Sequence, residues 1–365
     1  EIIIDGVTDG QIANTAVAPS ISYIDANLLT TSITLNGLSI YNNYYMYKNS
    51  YNYGVRLKLS NIKILICDNI SEKGINLLRD AGLNILFSPK ISLEEILSIV
   101  SEYDVIIVRS RTKITKEIIL AGRNLKVIGR AGVGLDNIDL NTAKEAGIVV
   151  YNTPDALTNA VAELVFGLML CLSRGICIGD SSLKQGKWLK SQLNGYELQN
   201  KVLGIIGLGR ICKRVSQIAL AFGMKILFND VIEIPKEVIE KLKIEYTTVD
   251  DILTKSDYIT LNIPFTPSTK HYISKKELSK MKKTAYLINA SRGEVLDEKA
   301  LLDSLKNGDI RGAALDVFEI EPPQRSDLIL LPNVVCTPHI GAQTKEAQEV
   351  ASTEISNMII NHFNG

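Results

Sequence analysis

The chain has 365 residues, 46% hydrophobic and 22% charged, with 40 basic side chains against 40 acidic ones. This is the composition of a globular protein with room for two domains, and a formal charge of zero leaves no basic surplus to recruit nucleic acid or an anionic membrane. The five cysteines are odd in number and scattered without zinc-type spacing. Neither a disulfide framework nor a metal site is expected, and a reducing, cytoplasmic setting fits best.

Residues 1–60 carry few charges and much Asn, Ser, Thr and Tyr, including the low-complexity run Tyr41-Asn42-Asn43-Tyr44-Tyr45-Met46-Tyr47. They are expected to form a disordered extension outside the fold. From Ile62 a regular alternation begins. Lys63–Cys67 reads as a buried parallel strand, Glu72–Ala81 as a helix stopped by Gly82, and Asn84–Phe87 as a strand. Ser92-Leu93-Glu94-Glu95 is a capping box that opens the next helix. Strands are then expected at Asp104–Arg109, Lys126–Gly129 and Gly147–Tyr151. An apolar helix over Thr158–Ser173 breaks the rhythm. Its run Leu164–Leu172 is about half a membrane span and follows Glu163, so it reads as a buried helix. A polar stretch through Trp188 and Gly195 follows.

A second alternating series starts at Val202. Its expected strands are Val202–Gly207, Lys225–Asp230, Asp257–Asn262, Ala285–Asn289, Gly312–Asp316 and Val334–Thr337. A second capping box, Ser274-Lys275-Lys276-Glu277, lies between two of them, and Gln343–Phe363 reads as one closing helix. Strands alternating with helices imply the α/β class: two doubly wound parallel sheets, with the crevice between two such units as the natural ligand site.

Gly207-Leu208-Gly209-Arg210-Ile211-Cys212 stands where a strand should pass into a helix. Gly207 permits the tight turn, and Gly209 lets a pyrophosphate approach the backbone at the positive helix end. The third fingerprint position holds Cys212, small and apolar, so the helix is expected to shift slightly rather than the site to vanish. Asp230 ends the next strand, at the right separation to bind ribose hydroxyls; its charge would repel a 2′-phosphate, favouring NAD over NADP. Downstream, three distant fragments supply an arginine (Arg292), a carboxylate (Glu321) and a histidine (His339). Hydride transfer involving a 2-hydroxy acid needs these groups: a planar cation for the carboxylate, a base for the hydroxyl proton, and an acid that favours imidazolium. Of the other two histidines, His271 lies in a polar segment and His362 near the end of the chain.

Several segments, in order, carry a likeness to a known family. They are Val108-Arg109-Ser110, Gly129 to Asn137, Asn152-Thr153-Pro154, Val161-Ala162-Glu163, Gly186-Lys187-Trp188, Gly207 to Ile211, Asn289 to Gly293, Ala313 to Phe318 and Thr337 to Ala342. Over about five sixths of its length the chain resembles the D-isomer-specific 2-hydroxyacid dehydrogenases. The resemblance implies a Rossmann-type coenzyme domain (156–337) inserted in a flavodoxin-like substrate domain (61–155 and 338–365). It implies Arg292, Glu321 and His339 as the catalytic set and NAD as cofactor. The implied cofactor contacts are Val133, Gly207, Gly209, Arg210, Ile211, Asp230, Ile263, Ala290, Arg292, Asp316 and His339. The implied substrate contacts are Arg109, facing a phosphate, with Val133, Gly134 and Arg292. Arg130 is a further candidate cation, and Arg111 reads as a solvated surface charge. Leu157 stands where the family often places an asparagine that faces the site.

Within the family the likeness is greatest to the branch acting on phosphoglycerate. This implies oxidation of 3-phospho-D-glycerate to 3-phosphohydroxypyruvate, the first step of serine synthesis. A glyoxylate, hydroxypyruvate or D-lactate reductase is the alternative on the same fold. An NAD(H)-sensing co-repressor-like scaffold is the alternative of a different class. The family's dimer-forming segment matches the apolar helix with Trp188, so a homodimer is expected. Longer relatives append serine-binding modules beyond the position of Gly365, and no serine feedback through such a module is expected here.

Overall fold

The computed structural model describes residues 61–364 except Arg325, together with four short strands before them. Those strands pair antiparallel as β1 (Ile33–Leu35) with β2 (Leu38–Ile40), and β3 (Tyr44–Asn49) with β4 (Asn52–Leu57). The reading of residues 1–60 as a disordered extension otherwise lies outside the described residues.

The chain divides into two compact units, 1–153 with 352–365, and 154–351. In the first, β5 (Lys63–Ile66), β6 (Asn84–Phe87), β7 (Val105–Val108), β8 (Val127–Arg130) and β9 (Val149–Asn152) make an all-parallel sheet of order β6-β5-β7-β8-β9. This is the flavodoxin-like order, whose direction reverses between β5 and β7. Apart from exposed Lys63 at the start of β5, both strands are runs of buried Ile, Leu and Val, as a sheet covered on two faces requires. Its helices are α1 (Glu72–Asp80), α2 (Leu93–Ile99), α3 (Lys116–Ala121) and α4 (Leu140–Glu145). The capping box at Ser92 forms as expected: Glu95 N–H donates to Ser92 Oγ, and Ser92 N–H donates to Glu95 Oε2 at 2.7 Å.

In the second unit, α5 (Thr158–Arg174) ends at left-handed Gly175 and is followed directly by α6 (Ile176–Lys184). The stretch after the apolar helix, read as polar and given no element of its own, is helical at its start. The seven parallel strands are β10 (Val202–Ile206), β11 (Lys225–Asn229), β12 (Glu245–Tyr246), β13 (Tyr258–Leu261), β14 (Tyr286–Asn289), β15 (Gly312–Leu315) and β16 (Val334–Cys336). Their order, β12-β11-β10-β13-β14-β15-β16, is the dinucleotide-binding order extended by one strand, with its reversal between β10 and β13. The two-residue β12 is too short to show an apolar pattern and is not among the strands expected from the sequence. The connecting helices are α7 (Arg210–Ala221), α8 (Lys236–Leu242), α9 (Val249–Lys255), α10 (Lys275–Leu278) and α11 (Glu298–Asn307). One apolar cluster joins α5 and α7 to the sheet through Phe166, Met169, Leu203, Val215 and Phe228; the other gathers Ile252, Leu287, Leu301 and Leu315.

The closing helix α12 (Lys345–Asn364) returns the chain to the first unit from Ser352 onward. Gly129 in β8 makes room for it, since a Cβ there would lie 3.1 Å from both Ile355 and Ile359. Among the described residues no single helix is long and apolar enough to cross a membrane.

Candidate active site

Each sheet concentrates polar side chains at the carboxyl end of its strands, beside its reversal point, where ligands gather in open α/β sheets. In the second unit this point carries the glycine-rich turn. Gly207 has φ +89°, and a Cβ on it would stand 2.6 Å from the Asn262 carbonyl and 2.8 Å from Ile263. Gly209, by contrast, faces open space, with nothing within 4 Å of where a Cβ would be. Asp230 closes the turn: its Oδ2 accepts the Leu208 N–H at 2.6 Å and its Oδ1 the Ile232 N–H at 2.8 Å. Val231 and Ile232 beside it are fully and largely exposed. Arg210 opens α7 and pairs through Nε with Asp155 at 2.6 Å. Cys212 is fully buried in the α5–α7 cluster, where burial raises its thiol well above the usual range. Leu157 is buried as well, at the start of α5.

Three strand ends farther along deliver Arg292, Glu321 and His339. Asn289, fully buried at the end of β14, fixes the first turn: its Nδ2 donates to the Arg292 carbonyl at 2.8 Å, and its Oδ1 accepts from Ser291 N–H and Oγ–H. Ala290 is half-buried in that turn. Asp316, after β15, is 1% exposed and holds the third segment. Its Oδ1 accepts from Thr337 Oγ at 2.6 Å and Ile340 N–H at 2.8 Å, and its Oδ2 from Gly341 N–H at 2.9 Å. Its backbone carbonyl accepts the His339 N–H at 2.8 Å. His339 has φ +52°, a left-handed conformation that costs a non-glycine residue about 1–3 kcal/mol and persists only when its surroundings hold it. Asp316 supplies that hold.

His339 Nδ1 lies 2.7 Å from Glu321 Oε2, while Glu321 Oε1 accepts the Phe318 N–H at 3.1 Å. The Glu321 bond is the main cause raising His339 above the ordinary imidazole value; burial opposes it, and the charges of Glu321 and Asp316 add to it. For Glu321, burial pushes upward, but the hydrogen bond and charge of His339, with smaller help from Phe318 N–H and Arg292, hold the carboxyl below its usual range. Arg292 acts on both partners, so all three groups share one electrostatic neighbourhood. The pair is half-exposed, 46% for His339 and 36% for Glu321, so it adds little to folding stability. Its consequence is for proton transfer: a charged Glu321 favours imidazolium, and Nε2 is the nitrogen that Glu321 leaves for another partner.

The reversal point of the first unit carries Asp68 and Arg109. Asp68, 3% exposed after β5, accepts the Arg109 N–H at 2.6 Å, the Thr112 hydroxyl at 2.8 Å and Arg111 Nε at 2.8 Å. Arg111 is thus paired with a buried carboxylate, while its own side chain stays half-exposed, in keeping with the surface charge its sequence context suggested. Asn137 Nδ2 donates to the carbonyls of Arg109 and Thr112, and Asn152 Nδ2 to that of Val133 at 2.7 Å, which fixes Val133 and Gly134 after β8. Burial draws the Arg109 guanidinium below its usual range, with Asp68 working the other way.

The sequence singled out Arg292, Glu321 and His339, which the structure brings together, but not the side chains that hold them. Asn289 and Asp316, and Asp68 for the Arg109 segment, are buried polar groups at or just past the ends of apolar strands; Asn137, which also ties the Arg109 segment, is only partly buried. That placement is itself a signal, since a buried polar side chain must find partners. His271, set aside as a polar-segment residue, is bonded through Nε2 to Glu319 at 3.1 Å. Among the described residues no group of three or more His, Cys, Asp or Glu is placed to hold a metal.

The family model described as D-isomer specific 2-hydroxyacid dehydrogenase, NAD binding domain, matches residues 166–341. The chain is 44% identical to a hydroxypyruvate reductase of Thermotoga maritima, over 82% of this chain and 98% of that protein. This chain belongs to the D-isomer-specific 2-hydroxyacid dehydrogenases. It is also 46% identical to a D-3-phosphoglycerate dehydrogenase of Methanocaldococcus jannaschii over 82% of its length, but it spans only 57% of that protein. Among solved structures, a glyoxylate reductase from Paecilomyes thermophila superposes with a TM-score of 0.77 at 30% identity, covering 83% of this chain and 95% of that one. A dehydrogenase of this family has NAD as its cofactor, and the glycine turn, open at Gly209 and closed by Asp230, fits a dinucleotide.

Proposed function

We propose that this chain is a dehydrogenase that oxidises 3-phospho-D-glycerate at C2 to 3-phosphohydroxypyruvate. The observation that carries the chemistry is the 2.7 Å contact of His339 with Glu321, within the field of Arg292. Gly207, Gly209, Arg210 and Ile211 would hold the pyrophosphate and Asp230 the ribose, with Ile263 and the exposed Val231 and Ile232 on the adenosine side. When bound, the oxidised nicotinamide supplies the hydride acceptor. Ala290 and Arg292 would lie near its ribose. Asp316 has three donors on a carboxylate with about four acceptor positions, which leaves one for the carboxamide.

Arg292 grips the substrate carboxylate in two-pronged fashion and orients C2. By the family likeness, Val133 and Gly134 would offer backbone N–H groups to the substrate. His339 Nε2 takes the hydroxyl proton as C2 gives up its hydrogen with both electrons, and Glu321 stabilises the resulting imidazolium. In the reverse direction the imidazolium returns the proton to the carbonyl oxygen. Arg109 would receive the phosphate: its half-buried guanidinium has given up hydration that a dianion would replace.

Hydroxypyruvate reduction is the second reading, favoured by the near-complete coverage of the Thermotoga maritima relative. A panel of 3-phosphoglycerate, hydroxypyruvate, glyoxylate and D-lactate with NAD(H) separates the two. Arg109→Ala should cut kcat/KM for the phosphorylated acid by roughly 10- to 100-fold, the range for losing a charge-assisted bond to phosphate, and spare hydroxypyruvate. An equal loss on both would place the phosphate elsewhere. We also infer a homodimer formed through α5 and α6, supported by exposed Ile176, Ile178, Leu183 and Trp188. Light scattering on the purified chain tests it, and a monomer would refute it.

A further inference from the structure

We propose that Glu298, Glu319 and His271 form a clasp that positions the Arg292 and Glu321 segments relative to each other, and that it sets the His339–Glu321 geometry used in turnover. The inference rests on the proton-transfer reading above. It starts from a reciprocal bond. Glu298 N–H donates to Glu319 Oε1 at 3.0 Å, and Glu319 N–H donates to Glu298 Oε1 at 2.7 Å. Each glutamate thus caps the backbone of the other across 21 residues of sequence. Glu298 opens α11, six residues after Arg292, and Glu319 lies two residues before Glu321.

The second carboxylate oxygen of Glu319 lies 3.1 Å from His271 Nε2, and His271 Nδ1 is 4.0 Å from Asp297. His271 is itself stitched to the Arg292 side. Its N–H donates to the Glu294 carbonyl at 2.8 Å, Ile273 N–H donates to Val295, and Asp297 N–H donates to Ile273. The two segments also touch through backbone. A Cβ on Gly293 would fall 1.9 Å from the Phe318 carbonyl carbon and 2.5 Å from Glu319 N, so only glycine permits this approach.

Helix capping alone does not explain the arrangement, because Asp297 already caps α11 by accepting the Ala300 N–H at 2.9 Å. Nor does stability: three carboxylates in one half-buried corner repel one another, and an apolar contact would join two loops at lower cost. What charged, reciprocal hydrogen bonds add is direction. They fix the backbone two residues from Glu321, whose reach to His339 leaves little tolerance for displacement.

The test uses the full chain, NAD(H) and the substrate that the panel selects. Glu319→Ala should lower kcat roughly 10- to 100-fold, the scale of an ångström-sized misplacement. It should also move the His339 limb of the pH–kcat profile to lower pH, because Glu321 no longer holds the imidazole squarely, while KM for the nicotinamide cofactor stays within about twofold. Glu319→Gln, which keeps an oxygen for the Glu298 N–H, should restore much of kcat. Should Glu319→Ala fail to fold, Glu319→Asp, with its shorter reach, should show the same limb shift. Wild-type kcat and an unmoved limb in the folded variants, with only Tm lowered, would reduce the clasp to a structural tie and overturn the proposal. His339→Ala in the same assay tells the two failures apart: if it is as active as wild type, the underlying proton-transfer reading fails.

Discussion

Two histidines of the second unit have almost the same backbone, φ +52° at His339 and +50° at His271, and each faces a glutamate of one short segment, Glu321 or Glu319. Their chemistry differs by which ring atoms are engaged. His271 presents Nε2 to Glu319 and Nδ1 toward Asp297, so both nitrogens look at carboxylates of the protein. His339 gives only Nδ1 to Glu321 and keeps Nε2 for another partner. On the proposed reading, the histidine between two acids serves as a strut and the histidine with one acid behind it as the base. The anchoring differs too. Asp316 holds His339 through neutral donors and leaves the ring free to change charge, whereas the segment of His271 is sewn to Glu294 and Asp297.

The largest effect that should separate them is on turnover. His339→Ala should lower kcat by about 10²- to 10⁴-fold, the usual contribution of a general base, while leaving NADH affinity near wild type. His271→Ala should cost far less, within the range given for the clasp, because it loses a positioning contact and no proton carrier. Steady-state kinetics with titration of NADH fluorescence measures both. Equal losses would erase the distinction between base and strut.

Much of the scaffold was legible in the sequence because it rests on strong local signals. Apolar runs at Lys63–Ile66 and Val202–Ile206, with the box at Ser92, give strand and helix with little help from tertiary context. The helix at Ile176–Lys184 was not legible, because its Gly, Asp and two Ser read as loop; it forms against α5 across a left-handed Gly175 that the sequence alone does not reveal. At the candidate site, Arg292, Glu321 and His339 could be singled out as residue types the proposed chemistry demands, in an order that resembles a family. Their supports were not, since Asp316 and Asn289 act through partners brought to them by neighbouring strands, and the Glu298–Glu319 bond spans two loops with no shared pattern.

An intermediate effect sharpens the comparison through pH. Glu321 raises His339 above the ordinary imidazole range. Oxidation needs neutral His339, so its rate should fall as pH drops through that raised value; reduction needs imidazolium and should fall as pH rises through it. Glu321→Gln removes the main cause of the shift and should move both limbs to lower pH, so that at neutral pH reduction loses more than oxidation. Limbs that stay in place would mean that another group carries the proton.

The smallest effect concerns folding. A histidine whose pKa is raised in the folded state contributes stability that is fully present below its unfolded pKa and is lost as pH rises through the folded one. The Tm difference between wild type and His339→Ala should therefore be greatest in mildly acidic solution and shrink as pH climbs past the raised value. Glu321, held low in the folded state, contributes in the opposite sense: its share is present above the ordinary carboxylate range and is lost as pH falls through its depressed value. The His339–Glu321 pair should thus be worth most between the two, and even there only modestly, because both side chains are half-exposed. Calorimetry across that window on both proteins checks the sign. A gap that widened with rising pH would show that imidazolium is disfavoured in the folded chain, and Glu321 would then not be the acid that supports it.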